Sequence, residues 1–350
     1  MYYVFIIVCL IDNSNDWVFM RFHHLVKVKN CPIKTFFEYE SIAEVENMKI
    51  LLTGGLGFIG SNIAERLVRE GHEVTILDNL HTGSEKNISA IRERVKVVKG
   101  DAGEVAKMSE RFDAIIHEGV YSSSPMYRDN PLLVSKALEQ WLSILEYARK
   151  NNSSIVYAST SSMYNGNKPP HREDLPVFVT DLYTEARYEM ERLAKLYSDI
   201  HGVKSVGLRY FSVYGPHEEA KGKYANLITQ FLWEMKAGKQ PMILGDGSQT
   251  RDFTYVEDVV EANLLALKYG KTDVFNVGTG RNVTLNDMVS ILNSKLKTSI
   301  APRYQPNTIR NYVQQTLADT SKASSLLGFK AKISLEDGIG RLIQVYAPKS

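Results

Sequence analysis

Cysteine is nearly absent from this chain of 350 residues. Its two cysteines, Cys9 and Cys31, both precede Met48, and the sequence after Met48 contains none. Disulfides, thiol nucleophiles and cysteine-ligated metals are therefore excluded from that part of the chain. The eight histidines form no HxxxH pair and do not cluster with carboxylates, so the sequence predicts no metal site.

Charge of one sign is also scarce. The chain has 42 Lys and Arg against 40 Asp and Glu, and its formal net charge is +2. Because no long block of single-sign charge is present, the sequence implies neither a nucleic-acid partner nor an anionic membrane surface. Small molecules are the expected partners, and a hydrophobic content of 44% is sufficient for a substantial core.

Long hydrophobic runs are missing as well. Residues 1–11 are almost entirely apolar, but they are too few to span a bilayer. They also lack a basic segment and an evident small-residue cleavage site. Because Met48 directly precedes the first strand of the predicted fold, we expect residues 1–47 to be an extension outside that fold. A membrane anchor is the alternative, and we expect a cytoplasmic protein.

Residues 48–78 predict a strand, a glycine-rich turn, a helix and a second strand. The glycines of TGGLGFIG, residues 53–60, allow a tight turn and a close approach of a pyrophosphate, and the following helix N-terminus favours anions. Asp78 ends the second strand, where a carboxylate binds the adenosine ribose and repels a 2′-phosphate, so NAD is preferred over NADP. An ordinary tight turn is the alternative. The predicted cofactor-binding residues are Gly54, Gly57, Phe58, Ile59, Gly60, Asp78 and Asn79.

The alternation of strands and helices continues along the chain. Apolar runs predict strands at residues 95–98, 114–117 and 154–158, and helical periodicity predicts helices at about 132–150 and 180–200. Two polar candidates follow strand ends. Asp101 is either an adenine contact or a turn residue, and Ser122 is either a ligand-binding hydroxyl or part of an ordinary loop.

Taken together, these segments resemble the extended short-chain dehydrogenase/reductase family. The resemblance runs from Met48 nearly to the C-terminus and is carried by TGGLGFIG, Asp78, the segment ASTSSMY and a helical Tyr183. More narrowly, the chain is similar to the NAD-dependent nucleotide-sugar epimerase/dehydratase branch, and looks like its UDP-glucose 4-epimerases. The segments that carry this narrower likeness are RYFSVYGP (209–216), GDGSQTRDF (245–253), YVEDV (255–259) and FNVG (275–278).

The resemblance implies a fold and a division into domains. The implied fold is α/β, a Rossmann-type doubly wound parallel sheet with a smaller mixed α/β C-terminal substrate domain. The NAD-binding domain would comprise residues 48–215 with a later return near 252–277, and the substrate domain residues 216–251 and 278–347. The amphipathic helices at 132–150 and 180–200 would form a homodimer interface, although their apolar faces equally suit a core.

The resemblance also implies catalytic residues. Tyr183, as phenolate, would remove the proton of a sugar hydroxyl while a hydride moves to NAD from the carbon that bears this hydroxyl. A free tyrosine has a pKa of about 10, so a nearby cation is needed. The family uses a lysine four residues later, whereas this chain has Arg187, which supplies the same charge and a fork for the ribose hydroxyls. Thr160 corresponds to the family's catalytic Ser/Thr, with Ser159 and Ser161 as alternatives, or with a turn-closing role instead.

Two serines limit the choice among the reactions that the resemblance implies. Ser161 and Ser162 follow Thr160 at the place where the family's dehydratases carry an acidic pair and its decarboxylases usually a glutamate. The sequence therefore predicts a UDP-hexose 4-epimerase of the UDP-glucose/UDP-galactose type. A net dehydrogenase, another 4-keto-forming sugar enzyme and a catalytically impaired dinucleotide-binding sensor are the alternatives.

Substrate-binding residues follow from the same resemblance. Arg251 corresponds to the family's pyrophosphate-binding arginine, and a surface salt bridge is its alternative role. Ser212 stands where the family usually has an asparagine, and Arg303 lies where a second nucleotide contact is expected, beside Tyr304. The predicted substrate-binding residues are Ser122, Thr160, Ser161, Ser212, Arg251 and Arg303.

Overall fold

The computed structural model describes residues 10–11, 17–21, 24–28 and 47–346. The chain divides into two compact units, Met1–Val45 and Glu46–Ser350. Most of the extension predicted at residues 1–47, with both cysteines, lies outside the described residues, as does residue 347 at the end of the predicted substrate domain.

The first unit contains a small antiparallel sheet. Strand β1 (Leu10–Ile11) pairs with β2 (Trp17–Arg21), and β2 pairs with β3 (His24–Val28). The sequence analysis placed residues 1–47 outside the main fold without predicting these strands, and that boundary stays a prediction.

The second unit alternates strands and helices. Its strands are β4 (Lys49–Thr53), β5 (Glu73–Asp78), β6 (Lys96–Lys99), β7 (Ala114–His117), β8 (Ser154–Thr160), β9 (Ser205–Tyr210), β10 (Val213–Tyr214), β11 (Met242–Leu244), β12 (Thr250–Arg251), β13 (Thr254–Tyr255), β14 (Asp273–Val277), β15 (Val283–Thr284) and β16 (Arg303–Gln305). Its α-helices are α1 (Phe58–Arg69), α2 (Ser124–Asp129), α3 (Leu133–Asn151), α4 (Leu182–His201), α5 (Leu227–Lys236), α6 (Val256–Tyr269), α7 (Leu285–Leu296), α8 (Ser321–Leu327) and α9 (Leu335–Val345). Short 3₁₀ helices cover Glu85–Ile88, Arg92–Arg94, Ala102–Lys107, Ser161–Tyr164 and Glu219–Tyr224.

Seven parallel strands form the central sheet, in the order β14-β9-β8-β7-β4-β5-β6. This arrangement confirms the predicted Rossmann-type doubly wound fold. The chain direction across the sheet reverses between β4 and β7. The carboxyl ends of these two neighbouring strands therefore flank a crevice of the kind in which open α/β sheets bind ligands.

The apolar runs of the sequence become central strands because helices cover both faces of the sheet. In β4, Leu51 packs with Trp141 of α3 and Met190 of α4, whereas Leu52 packs on the opposite face with Ile63 of α1. Side chains alternate between the two faces, so a strand buried on both sides needs apolar residues at consecutive positions. The predicted strands and helices agree with those observed to within a few residues.

Helix α4 is limited at both ends by local chemistry. The side chain of Asp181 accepts the backbone N–H of Thr184 at 2.7 Å, and Gly202, with φ of 70°, ends the helix in the left-handed conformation. These caps place Tyr183 in the first turn and Arg187 one turn later. Both side chains therefore lie at the end of α4 that is nearest the carboxyl edge of the sheet.

A separate hydrophobic cluster lies in the C-terminal half of the second unit. It is built from α5, α7 and α9, with Leu232, Leu292 and Leu342 at its centre. Three two-stranded sheets accompany it: β10 with β13, β11 with β16, and β12 with β15. Among the described residues, no helix combines the length and apolar character that a membrane crossing requires.

A buried ion pair connects β9 to α4. The guanidinium of Arg209 donates from Nε and Nη2 to the two carboxylate oxygens of Glu191 at 2.9 and 2.7 Å, and both side chains are less than one-tenth exposed. Glu191 also accepts a hydrogen bond from Ser159 at 2.6 Å. The strand that ends at Thr160 and the helix that carries Tyr183 are thereby joined by one charged group.

We expect Glu191→Gln to lower the free energy of unfolding by about 3 kcal/mol, because it leaves the buried guanidinium of Arg209 without its counter-charge. Glu189→Gln is the matched control, since Glu189 pairs with the exposed Arg192 on the same helix and should change stability by less than about 1 kcal/mol. Urea unfolding of the two variants checks the difference. Equal stabilities would contradict the assigned importance of the pair.

Candidate active site

The glycine-rich turn between β4 and α1 has no room for a side chain at Gly54 or at Gly60. Gly54 has φ of 71°, and a Cβ there would lie 2.5 Å from the backbone nitrogen of Gly119. A Cβ on Gly60 would overlap the carbonyl oxygen of Gly54. No side chain caps α1, whose N-cap residue is Gly57. The first N–H groups of the helix therefore remain available to an anion.

Asp78 holds this turn in place from the end of β5. Its carboxylate accepts the N–H of Leu56 at 2.9 Å and the N–H of Leu80 at 2.7 Å, one on each oxygen. Burial raises the pKa of Asp78, and the two backbone donors oppose that rise. Each oxygen keeps a second lone pair, so the carboxylate can still accept ribose hydroxyls.

A cleft runs along the carboxyl edge of the sheet and has two adjoining parts. The larger, here called the Tyr183 part, has a volume of about 380 Å³, within the range of ligand pockets. The smaller, here called the Asp78 part, shares Gly54, Gly57 and Glu118 with it. Of the residues predicted from the sequence, the Tyr183 part is lined by Gly54, Gly57, Phe58, Ile59, Gly60, Ser122, Thr160, Ser161, Tyr183, Arg187 and Ser212, and the Asp78 part by Asp78 and Asn79.

Arg187 lies beneath Tyr183 and is almost fully buried. Its guanidinium carbon is 5.3 Å from the centre of the Tyr183 ring. Nη1 donates to the carbonyl of Ala158, and Nη2 donates to the carbonyl of Tyr121 at 3.0 Å. The charge is thus fixed by two main-chain carbonyls close to the phenol, while the buried Nε has no partner among the described residues.

The hydroxyl side chains at the end of β8 have different environments. Ser159 donates to Glu191 and is turned into the protein. The oxygen of Thr160 accepts the N–H of Ser162 at 3.1 Å and caps the short helix Ser161–Tyr164. Thr160 lines the cleft in this capping position, so its hydroxyl hydrogen is free to serve a second acceptor. In this position Thr160 can close the turn and also contact a substrate, so the geometry is compatible with both roles that the sequence predicts for it.

Three predicted site residues do not line the cleft. Asp101 caps the helix Ala102–Lys107, accepts from Asn79 at 2.6 Å and pairs with Lys136. Arg251 lies over the ring of Tyr312 at 5.4 Å and donates to the carbonyl of Thr250 at 2.8 Å. Arg303 is exposed on β16. The ligand contacts predicted for these three side chains stay predictions.

Glu118 is a cleft residue that the sequence analysis did not select. It follows β7 directly, and its Oε1 accepts the hydroxyl of Tyr210 at 2.6 Å. Burial raises the pKa of Glu118 to about 7, against the Tyr210 hydrogen bond and the charge of Arg187. The available signal was its place after a buried strand at the carboxyl edge of the sheet. Lys221 and Asn226, which also line the cleft, had no such signal.

The residues present fit a bound dinucleotide. The glycine turn keeps side chains out of the region before α1, the first N–H groups of α1 have no side-chain cap, and the carboxylate of Asp78 suits a ribose.

Comparison with known proteins gives consistent matches. The model of the NAD dependent epimerase/dehydratase family matches residues 50–278. A Methanocaldococcus jannaschii protein provisionally named UDP-glucose 4-epimerase is 34% identical over 299 residues, which are 84% of this chain and 97% of that protein. UDP-glucuronic acid decarboxylase 1 of Danio rerio is 27% identical over 315 residues, 87% of this chain and 74% of the relative.

Among solved structures, the UDP-glucose 4-epimerase of Thermotoga maritima with UDP-glucose superposes with a TM-score of 0.81. It is 30% identical in sequence, and the match covers 85% of this chain and 98% of that one. Epimerases and decarboxylases therefore both occur among the proteins that are similar to this chain.

We expect Gly60→Ala to abolish tight NAD binding, because the added methyl group overlaps the carbonyl of Gly54 and displaces the turn from the N-terminus of α1. Gly340→Ala, in α9, is the control, since a Cβ there meets no other atom within 4 Å. Fluorescence titration with NADH measures both variants. Tight binding by Gly60→Ala would show that the turn does not hold the cofactor.

Proposed function

Because this chain belongs to the NAD-dependent epimerase/dehydratase family of extended short-chain dehydrogenases/reductases, we propose that it is a nucleotide-sugar 4-epimerase. The proposed substrate is a UDP-hexose of the UDP-glucose/UDP-galactose type. The proposed reaction is a transient oxidation at C4 of the sugar, followed by return of the hydride to the other face of the same carbon.

One observation carries the choice of reaction. The Tyr183 part of the cleft contains the predicted proton-transfer residues Tyr183 and Thr160, and among its described lining residues Glu118 is the only one with a carboxyl group. Loss of water from a sugar needs an acid and a base beside the bond that breaks. Ser161 and Ser162 occupy the position of that acidic pair, whereas epimerisation at C4 requires no carboxylate.

In this proposal side chains of the protein carry out the proton transfer. Tyr183, as phenolate, accepts the proton of the C4 hydroxyl, and the fixed charge of Arg187 stabilises the phenolate by direct attraction. The hydroxyl of Thr160 orients the sugar oxygen. Bound NAD supplies the acceptor and donor of the hydride. Since the hydride leaves C4 and returns to it, while the proton leaves the oxygen on C4 and returns to it, the reaction consumes no cofactor.

Arg251 supports a diphosphate in the substrate. It is half-buried, it forms no ion pair with a carboxylate among the described residues, and burial lowers the pKa of its guanidinium. A bound anion would supply the negative charge that this partly buried cation lacks. A bidentate contact with phosphate oxygens suits the guanidinium. Ser122, Ser161, Ser212 and Arg303 complete the substrate contacts of this proposal.

The homodimer and the cytoplasmic location expected from the sequence belong to the same proposal. Helices α3 and α4 pack against each other. They leave Leu142, Leu196 and Ile200 exposed by 38%, 49% and 63%. Leu196 and Ile200 are one turn apart on α4 and thus share a face. These exposed apolar groups support an interface between two copies of the chain.

We expect the purified protein to interconvert UDP-glucose and UDP-galactose without net formation of NADH. Chromatography of the nucleotide sugars, together with absorbance at the NADH band, measures both quantities. A failure with all common UDP-hexoses would disprove the substrate assignment. Stoichiometric NADH would indicate a net dehydrogenase, and a 4-keto or decarboxylated product would indicate another reaction of the family.

We expect Tyr183→Phe to lower kcat about 1000-fold, because the sugar hydroxyl loses its proton acceptor. NAD affinity should stay close to that of the wild type, since the cradle and Asp78 are unchanged. Tyr188→Phe is the matched control: Tyr188 lies on the same helix beside Arg192 and does not line the cleft. Turnover that survives Tyr183→Phe would remove Tyr183 from the mechanism.

A further inference from the structure

Glu118 has no role in the proposed proton transfer, yet it lines both parts of the cleft. It follows β7, whereas Thr160 ends β8, and Tyr183 and Arg187 lie in the first two turns of α4. Gly54, in the glycine turn, packs against the backbone of Glu118 and Gly119. The carboxyl group therefore belongs to the wall between the glycine turn and the Tyr183 part.

The hydrogen bonds around Glu118 have a fixed direction. Nδ2 of Asn263 donates to the carbonyl of Val259 at 2.9 Å and to the hydroxyl oxygen of Tyr210 at 2.8 Å. The hydroxyl of Tyr210 must then donate its single hydrogen onward, to Oε1 of Glu118 at 2.6 Å. Oε1 is thus always an acceptor, and any proton that Glu118 binds must reside on Oε2.

Oε2 accepts no hydrogen bond from the described residues, although it is not among their fully enclosed polar atoms that lack a partner. It is therefore accessible from the cleft. The charges of the described residues that line the Tyr183 part are those of Arg187, Lys221 and Glu118. Glu118 is the only one of the three that attracts a positive group.

A dinucleotide bound in this cleft must extend past the side chain of Glu118. Its pyrophosphate belongs at the glycine turn. Its reactive ring must come close to Tyr183 and Thr160, because the hydride leaves the sugar carbon whose hydroxyl loses the proton. Both of these regions lie in the Tyr183 part, and Glu118 lines it together with them. The ring is positively charged in NAD⁺ and uncharged in NADH, so a carboxylate in this wall distinguishes the two forms.

We propose that Glu118 is a charge-selecting residue of the cofactor site, which strengthens the binding of NAD⁺ relative to NADH. Asn263 and Tyr210 position it, and its Oε2 presents the negative charge to the cleft. Burial, which raises the pKa of Glu118 to about 7, makes this charge dependent on pH near neutrality.

For the epimerase proposed above, on which this consequence rests, the charge would favour return of the hydride to the sugar. A site that bound NADH more tightly than NAD⁺ would hold the hydride and allow the keto-sugar to leave. The carboxylate of Glu118 opposes that outcome by stabilising the oxidised cofactor.

The test is the ratio of the two dissociation constants, Kd for NADH divided by Kd for NAD⁺, measured calorimetrically at pH 8.5 without sugar. We expect Glu118→Gln to lower this ratio about tenfold, as removal of one charge at short range in a protein site predicts. The variant keeps the size of the side chain and its acceptor for Tyr210. Glu139→Gln, at an exposed position of α3 outside the cleft, should leave the ratio unchanged.

A second variant guards against a folding defect. Tyr210→Phe keeps the carboxylate but removes its hydrogen bond, so we expect a smaller fall of the ratio than in Glu118→Gln, and thermal unfolding of both variants verifies that each is folded at the temperature of the measurement. A ratio that stays within about twofold of wild type in a folded Glu118→Gln protein would overturn the proposal, since that is far below the effect of a nearby charge.

The pH dependence provides an independent readout. In the wild type the ratio should rise from pH 6 to pH 8.5 as Glu118 ionises, and in Glu118→Gln that rise should disappear. Around Glu118, the neighbouring His117 stays neutral because burial lowers its pKa to about 3, and burial holds the pKa of Tyr210 well above this range. The cations Arg187 and Lys221, and His81 in the Asp78 part, are common to both proteins.

Because the measurement uses no sugar, its result separates the two proposals. A failure to convert UDP-hexoses would disprove the proposed substrate, but it would not change what the ratio of dissociation constants says about Glu118. An equal pH dependence in the wild type and in Glu118→Gln would disprove the role of Glu118, whatever the enzyme does with sugars.

Discussion

The buried ion pair between Arg209 and Glu191 is the constraint on which the candidate site depends. It joins β9 to α4 and continues through hydrogen bonds from Arg209 to Tyr164 at 2.8 Å and from Tyr164 to Asn276 at 2.6 Å. Ser159 donates to the same carboxylate. Burying the two charges requires their desolvation, which is unfavourable. Any alternative packing, however, would leave one of the buried charges unpaired, so the pair favours a single arrangement. The ends of β8, β9 and β14 therefore keep one position relative to α4.

Arg187 is the residue that the proposed mechanism uses in place of the family's lysine. A lysine offers three hydrogens from one nitrogen, whereas a guanidinium offers five from three nitrogens in a fixed plane. Here two nitrogens bond to the carbonyls of Ala158 and Tyr121 and still retain hydrogens of their own. The cation is consequently more rigid than a lysine would be. Its position beneath Tyr183 is set by the carbonyls of Ala158 in β8 and of Tyr121 in the loop after β7.

The sequence predicted the sheet well because burial on both faces makes each strand a continuous apolar run, as in β4 and β7. It also predicted that Tyr183 and Arg187 share a helix face, which depends only on helical spacing. Glu118 was missed because its partners, Tyr210 and Asn263, are distant in sequence and meet it only in the folded sheet. The ligand roles predicted for Arg251 and Arg303 depend on the position of a bound ligand, which neither residue spacing nor the packing of the chain determines.

The charges of the cleft have to serve two opposite requirements. In the proposed mechanism Tyr183 accepts a proton and therefore needs a cation beside it, which is the role proposed for Arg187. The same positive charge disfavours the positive ring of NAD⁺, which must be bound before any sugar can be oxidised. Glu118, near enough for Arg187 to influence its pKa, offsets that repulsion on the cofactor side. A fixed cation for the phenol and a carboxylate for the ring together let one small cleft stabilise opposite charges on two neighbouring groups.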